Sequence, residues 1–157
     1  MRTGIIRRKL GEQFKELVQI EEVLEGRKYI FDGSEIIIKE ILIDINFPKR
    51  KMDYNEVWEI MQKAEILKGI EELAKEVEEK GLEQKLAKVA ERLEKEGYSV
   101  SENFNEGTAE VRYEIGKGNY ANFTIKVEDL LKIREKISEP FISEERKKIM
   151  KIIIEEL

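Results

Sequence analysis

Between Tyr98 and Val127 the chain alternates apolar and polar residues with a period of two, and no other feature limits its possible folds so sharply. Tyr98, Val100 and Phe104 alternate with Ser99, Ser101 and Asn103. Ala109, Val111, Tyr113 and Ile115 alternate with Thr108, Glu110, Arg112 and Glu114, and Ala121, Phe123, Ile125 and Val127 with Tyr120, Asn122, Thr124 and Lys126. This is the pattern of strands that bury one face. Opposed residues must point to the same face, so parity tests the register. A loop over 105–108 sets Phe104 opposite Ala109 and Val100 opposite Tyr113; a loop one residue shorter sets Val100 against Arg112 and fails. The loop Gly116-Lys117-Gly118 sets Tyr113 opposite Ala121 and Val111 opposite Phe123, and its glycines suit a turn that needs positive φ. The expectation is a three-stranded antiparallel meander.

The flanking segments follow helical spacing. Residues 8–25 place Leu10, Phe14, Leu17, Val18 and Leu24 three and four apart, which predicts a helix ending at Gly26, although Val18, Ile20 and Val23 would also suit a strand. Asp32-Gly33-Ser34-Glu35 then separates Lys28-Tyr29-Ile30-Phe31 from an isoleucine-rich run, the signal of a hairpin whose second strand is expected over 35–46. On one continuous strand, Ile37, Lys39, Ile41, Ile43, Ile45 and Phe47 share a face; Ile36, Ile38, Glu40, Leu42, Asp44 and Asn46 share the other.

After Pro48, Asp53 and Glu56 make a capping box for a helix with Val57, Ile60, Met61, Ala64, Leu67, Ile70, Leu73, Ala74 and Val77 on one side. Gly69 interrupts it, and it ends near Gly81. A second helix carries Leu82, Leu86, Val89, Ala90 and Leu93 and ends at Gly97, completing an αα-hairpin. Beyond the meander, Leu130, Leu131, Ile133 and Ile137 form a short helix stopped by Ser138-Glu139-Pro140, and Ser143 caps a last helix. The fold class read from this order is α+β: an N-terminal helix and β-hairpin, a central αα-hairpin, a three-stranded meander and two C-terminal helices. Residues 1–157 are expected to form one α+β domain, with a possible sub-division into 1–51 and 52–157.

Composition removes several chemistries. With no cysteine and no histidine among 157 residues, disulfides, thiolate or imidazole zinc sites, a Cys nucleophile and a Ser-His-Asp triad are all excluded. Thirty Glu stand against four Asp, and twenty Lys against nine Arg, the bias expected where ion-pair networks stabilise a protein at high temperature. The net charge of −5 is uneven: +2 over residues 1–51, −7 over 52–107 and zero over 108–157. No stretch resembles a signal peptide, and the most apolar run, residues 36–47, is broken by Lys39, Glu40 and Asp44, so a cytoplasmic protein without membrane contact is expected.

Few places could assemble a catalytic site. Asp32-Gly33-Ser34-Glu35 has oxygen ligands but lacks the spacing of a calcium loop. Asp44 lies deep in an apolar run, where a carboxylate could do acid–base work. The polar meander face, with Glu110, Arg112, Glu114, Tyr120, Asn122, Thr124 and Lys126, has a single aromatic and so lacks the stacking platforms of a single-stranded RNA binder. A restriction-type nuclease is excluded by Thr124 where acid-x-Lys would be needed. Gly116-Lys117-Gly118-Asn119 joins two strands and so is no P-loop. The order helix, three strands, helix over 82–137 resembles a double-stranded RNA-binding domain in topology alone; the resemblance stops at Glu128-Asp129, where such domains present lysines.

The strongest binding feature is the final helix. Ile149-Met150-Lys151-Ile152-Ile153-Ile154 is apolar around more than half its circumference, so Ile149, Met150, Ile153, Ile154 and Leu157 are expected to meet a partner chain or a second copy, with the Ile36-Ile38-Leu42 face as a further candidate. The expected function is that of a non-catalytic binding or assembly protein working through protein–protein contacts, with no cofactor and no metal. The alternative is nucleic-acid binding through Arg7, Arg8, Lys9, Lys49, Arg50 and Lys51, should the fold join the two runs. A carboxylate-based, metal-dependent hydrolase comes third.

Overall fold

The computed structural model describes residues 2–14, 19–40, 42–103 and 105–157. The fold is α+β, and its contacts divide the chain into two compact units: Ile6–Leu73, and Ala74–Leu157 together with Met1–Ile5. The division falls inside a long helix and not at Lys51.

In the unit Ile6–Leu73, α1 (Arg2–Gln13) is followed by four strands, β1 (Gln19–Val23), β2 (Gly26–Ile30), β3 (Glu35–Lys39) and β4 (Ile43–Asn46), and by the first part of α2 (Tyr54–Glu79). The strands pair in sequence order, each antiparallel to the next. Tyr29 lies opposite Ile36 and Ile36 opposite Ile45, while Arg27 lies opposite Ile38 and Ile38 opposite Ile43. These side chains form the inner face. The core around them holds Ile6, Leu10, Phe14, Phe31, Ile60, Ala64, Leu67 and Ile70, with Phe14 edge-on to Phe31 at 5.8 Å between ring centroids.

Two expectations change in this unit. The helix expected over 8–25 ends at Gln13, and Gln19–Val23 is a strand. Ile20 and Val23, β-branched residues that lose side-chain freedom in a helix, pair instead with Tyr29 and Gly26 across a two-residue turn, Leu24-Glu25. Leu17 and Val18, which that helix reading used, lie outside the described residues. The single strand expected over 35–46 is a hairpin, closed by reciprocal backbone hydrogen bonds between Lys39 and Leu42. Ile38 thus lies opposite Ile43, an even-numbered residue against an odd one, which reverses the face of everything that follows. Asp44 consequently pairs with Ile37 on the outer face and is exposed, so it is not a carboxylate in apolar surroundings.

In the second unit, the end of α2 is followed by α3 (Leu82–Lys95), β5 (Ser99–Asn103), β6 (Thr108–Gly116), β7 (Asn119–Lys126), a 3-10 turn (Val127–Leu131), α4 (Ile133–Lys136) and α5 (Glu144–Glu156). α3 buries Leu82, Leu86, Val89, Ala90 and Leu93, the stripe its spacing predicts. The β6–β7 register is also the expected one, with Tyr113 opposite Ala121 and Val111 opposite Phe123. The β5–β6 register keeps the expected parity but is shifted by two residues: Val100 lies opposite Val111, and Glu102 opposite Ala109. Gly107, at φ 70° and close to Val127, lies in the turn in either register. Phe104 lies outside the described residues. Among the described residues, no helix is long and apolar enough to cross a membrane.

Candidate functional site

α2 begins at Asp53, whose Oδ1 accepts the Glu56 backbone N–H at 2.9 Å, as the capping box predicts. From there one stripe of the helix is core: Ile60, Ala64, Leu67 and Ile70 are buried at spacings of three and four. The opposite side should be polar. Instead Tyr54, Trp58 and Met61 stand there at i, i+4 and i+7, exposed to 79%, 52% and 51%. At 3.6 residues per turn these three fall within a strip about 60° wide, and Glu65, Lys68 and Glu72 continue the same line. Met61, expected on the core side, is therefore on the outer one. Trp58 was not a sequence candidate, although its spacing from Tyr54 and Met61, out of phase with the core stripe, was the signal that marks it.

Lys49, Arg50 and Lys51, just before this helix, are all exposed. Arg50 Nη2 lies 2.7 Å from Glu56 Oε2. Lys49 borders a groove of about 670 Å³ at the end of the sheet, where Ile30, Phe31, Ile45 and Phe47 are apolar and Glu35 and Asn46 are polar. The other basic run, Arg7, Arg8 and Lys9, is on α1, where Arg7 is exposed and Arg8 and Lys9 are partly covered and have partners of their own. The six basic side chains thus belong to two separate elements.

The expected C-terminal interface is largely core. Ile149, Met150 and Ile153 are buried within their own unit, where α5 packs on α3, and only Ile154 and Leu157 keep partial exposure. The physical reason is local: three strands and one helix leave an apolar face that the last helix covers. Of the second candidate face, Ile36 and Ile38 are buried in the sheet and Leu42 is exposed at a turn, so the three do not form one surface.

In Ile6–Leu73, Arg27, Tyr29 and Glu71 form a buried polar cluster. Arg27 Nη1 donates to both Glu71 oxygens, at 3.0 and 2.8 Å, and Arg27 Nε donates to Glu22 Oε1 at 3.0 Å. The Tyr29 hydroxyl donates to Glu71 Oε1. Burial acts to lower the Arg27 pKa, but the Glu71 carboxylate outweighs it and holds the guanidinium above its ordinary value. Burial, helped by the hydrogen bond to Glu71, holds the Tyr29 phenol far above the usual tyrosine range. These hydrogen bonds tie the sheet to α2.

In the other unit, Arg92 on α3 donates to Glu155, Glu156 and Glu96 at 2.9 to 3.1 Å, and Arg146 stands over the Phe123 ring while its Nε donates to the Tyr113 hydroxyl. Among the described residues, no group of three or more aspartates and glutamates is gathered to hold a metal ion. Compared with known proteins, the chain matches no family model, no curated protein and no solved structure.

Proposed function

We propose that this chain is a non-catalytic binding and assembly protein that works through protein–protein contact, and that its docking surface is the Tyr54, Trp58 and Met61 seam of α2. The observation that carries the reading is the exposure of an aromatic pair and a methionine on a line where a solvated helix would show charges. Trp and Tyr are enriched among the side chains that dominate protein interfaces, and each buries a large apolar area when covered. The N-terminal cap and the buried opposite stripe hold the seam rigidly, so little conformational freedom is lost on docking.

A nucleic-acid reading also draws on this region, because Lys49, Arg50 and Lys51 precede exposed aromatics. Charge decides against it. Asp53, Glu56 and Glu59 cancel the three basic residues within two helical turns, and Arg50 is already paired with Glu56. Retardation of single-stranded DNA or RNA at low salt that vanishes in a Lys49→Gln/Lys51→Gln variant would reverse this preference.

Native mass spectrometry of the protein recovered from its own cells tests the docking reading. The expected mass exceeds that of one chain, and Trp58→Glu reduces it to one chain while far-ultraviolet dichroism and thermal midpoint stay unchanged, since an exposed substitution alters stability by about 0.5 kcal/mol or less. A single-chain mass for the unaltered protein, or an unchanged assembly in Trp58→Glu, refutes it.

A further inference from the structure

We infer that the occupant of this seam is a second copy of the same chain, lying antiparallel about a two-fold axis at Met61; the inference rests on the docking reading above and names its partner. Tyr54, Trp58, Met61, Glu65, Lys68 and Glu72 succeed one another at steps of four and three, the repeat that keeps one line of a helix facing a partner helix. The line is polarised. Its first half is aromatic and apolar and its second half is charged.

A parallel copy would set Glu65 on Glu65, Lys68 on Lys68 and Glu72 on Glu72, stacking like charges along the seam. An antiparallel copy exchanges the halves. Tyr54, seven residues before Met61, meets the partner subunit's Lys68, seven residues after it, which places an ammonium against an exposed tyrosine ring. The two Trp58 side chains flank the central methionines and cover them. Every contact is made twice by the two-fold axis, so one modest patch becomes self-complementary, as an isologous interface requires.

The absence of cysteine makes the geometry directly readable. Under mild oxidation Met61→Cys is expected to form a disulfide-linked dimer as the main product, and Tyr54→Cys alone to remain mostly a single chain. Mixing Tyr54→Cys with Lys68→Cys should yield the mixed disulfide. Self-linking of Tyr54→Cys as fast as Met61→Cys overturns the antiparallel arrangement. So does sedimentation of the purified, unaltered protein as a single chain at about 100 μM, a concentration that would populate even a weak dimer. If that single chain nevertheless has a larger mass when taken from its own cells, and Trp58→Glu abolishes it, the self-pairing is refuted and the docking reading stands; a single-chain mass there refutes both.

Discussion

Both units pack a sheet on helices through apolar side chains, but only Ile6–Leu73 adds a buried ion pair to that contact. In Ile6–Leu73 an ion pair is buried under the sheet, Arg27 against Glu71, with the Tyr29 hydroxyl on the same carboxylate. In the unit containing the meander, the faces that meet are apolar, Val111, Ile125 and Val127 with Leu86, Val89, Leu93, Ile149 and Ile153, and Arg92 forms its ion pairs at the margin with about a third of its side chain exposed. The difference lies in how each arrangement fails. An apolar core loses stability in proportion to the area and volume removed, whereas a buried pair becomes a liability as soon as one partner is gone.

The largest effect should come from placing a charge in the apolar unit. Ile153 is fully buried, and Ile153→Asp is expected to cost more than about 5 kcal/mol and to abolish the folded signal of the meander aromatics in near-ultraviolet dichroism. A folded Ile153→Asp chain would show that α5 is peripheral and would remove the contrast. Next is Glu71→Ala, which leaves the buried Arg27 with only the largely exposed Glu22 as partner and should cost about 3 kcal/mol in urea unfolding. The double change Arg27→Met with Glu71→Leu sharpens the comparison, because replacing both charges by apolar side chains should recover most of that loss. If it recovers none, the pair contributes more than its desolvation removes, and the two units are held in a more similar way than drawn.

The smallest effect is a matter of pH. Tyr29→Phe removes one hydrogen bond to a carboxylate, worth about 1.5–3 kcal/mol near neutral pH. The phenol is held above its ordinary value of 10.0 in the folded chain, so above that pH the unfolded chain releases a proton that the folded chain keeps. Stability contributed by Tyr29 is therefore fully present below about pH 10 and declines above it, by up to about 1.4 kcal/mol per pH unit. Urea midpoints of both proteins at pH 8 and pH 11 should show a smaller Tyr29→Phe penalty at the higher pH; a constant penalty would mean that the phenol is not specially held.

These same regions differ in how readily a single chain discloses them. β6 and β7 alternate over nine and eight residues, and the glycines between them mark the turn that parity alone would leave free to shift by two. β3 and β4 are only five and four residues long and lie within one isoleucine-rich run, so two short strands and one long strand present the same apolar content. Asp44 looked buried for that reason. Likewise, β1 lies where helical and strand spacing coincide, and its pairing with β2 across Leu24-Glu25 is a long-range choice that local propensity does not make.

From residue order alone followed the α+β class, the stripes of α3 and of the buried side of α2, the helix caps at Asp53 and Ser143, and the β6–β7 register, because each is written in short-range spacing: a periodicity, a cap residue or a glycine turn. Burial of α5 and exposure of Trp58 were decided by tertiary packing. An apolar helix and an apolar seam are indistinguishable in sequence until it is known which of them the rest of the chain covers, and here three strands and a helix cover Ile149 and Ile153 while Tyr54, Trp58 and Met61 stay in water.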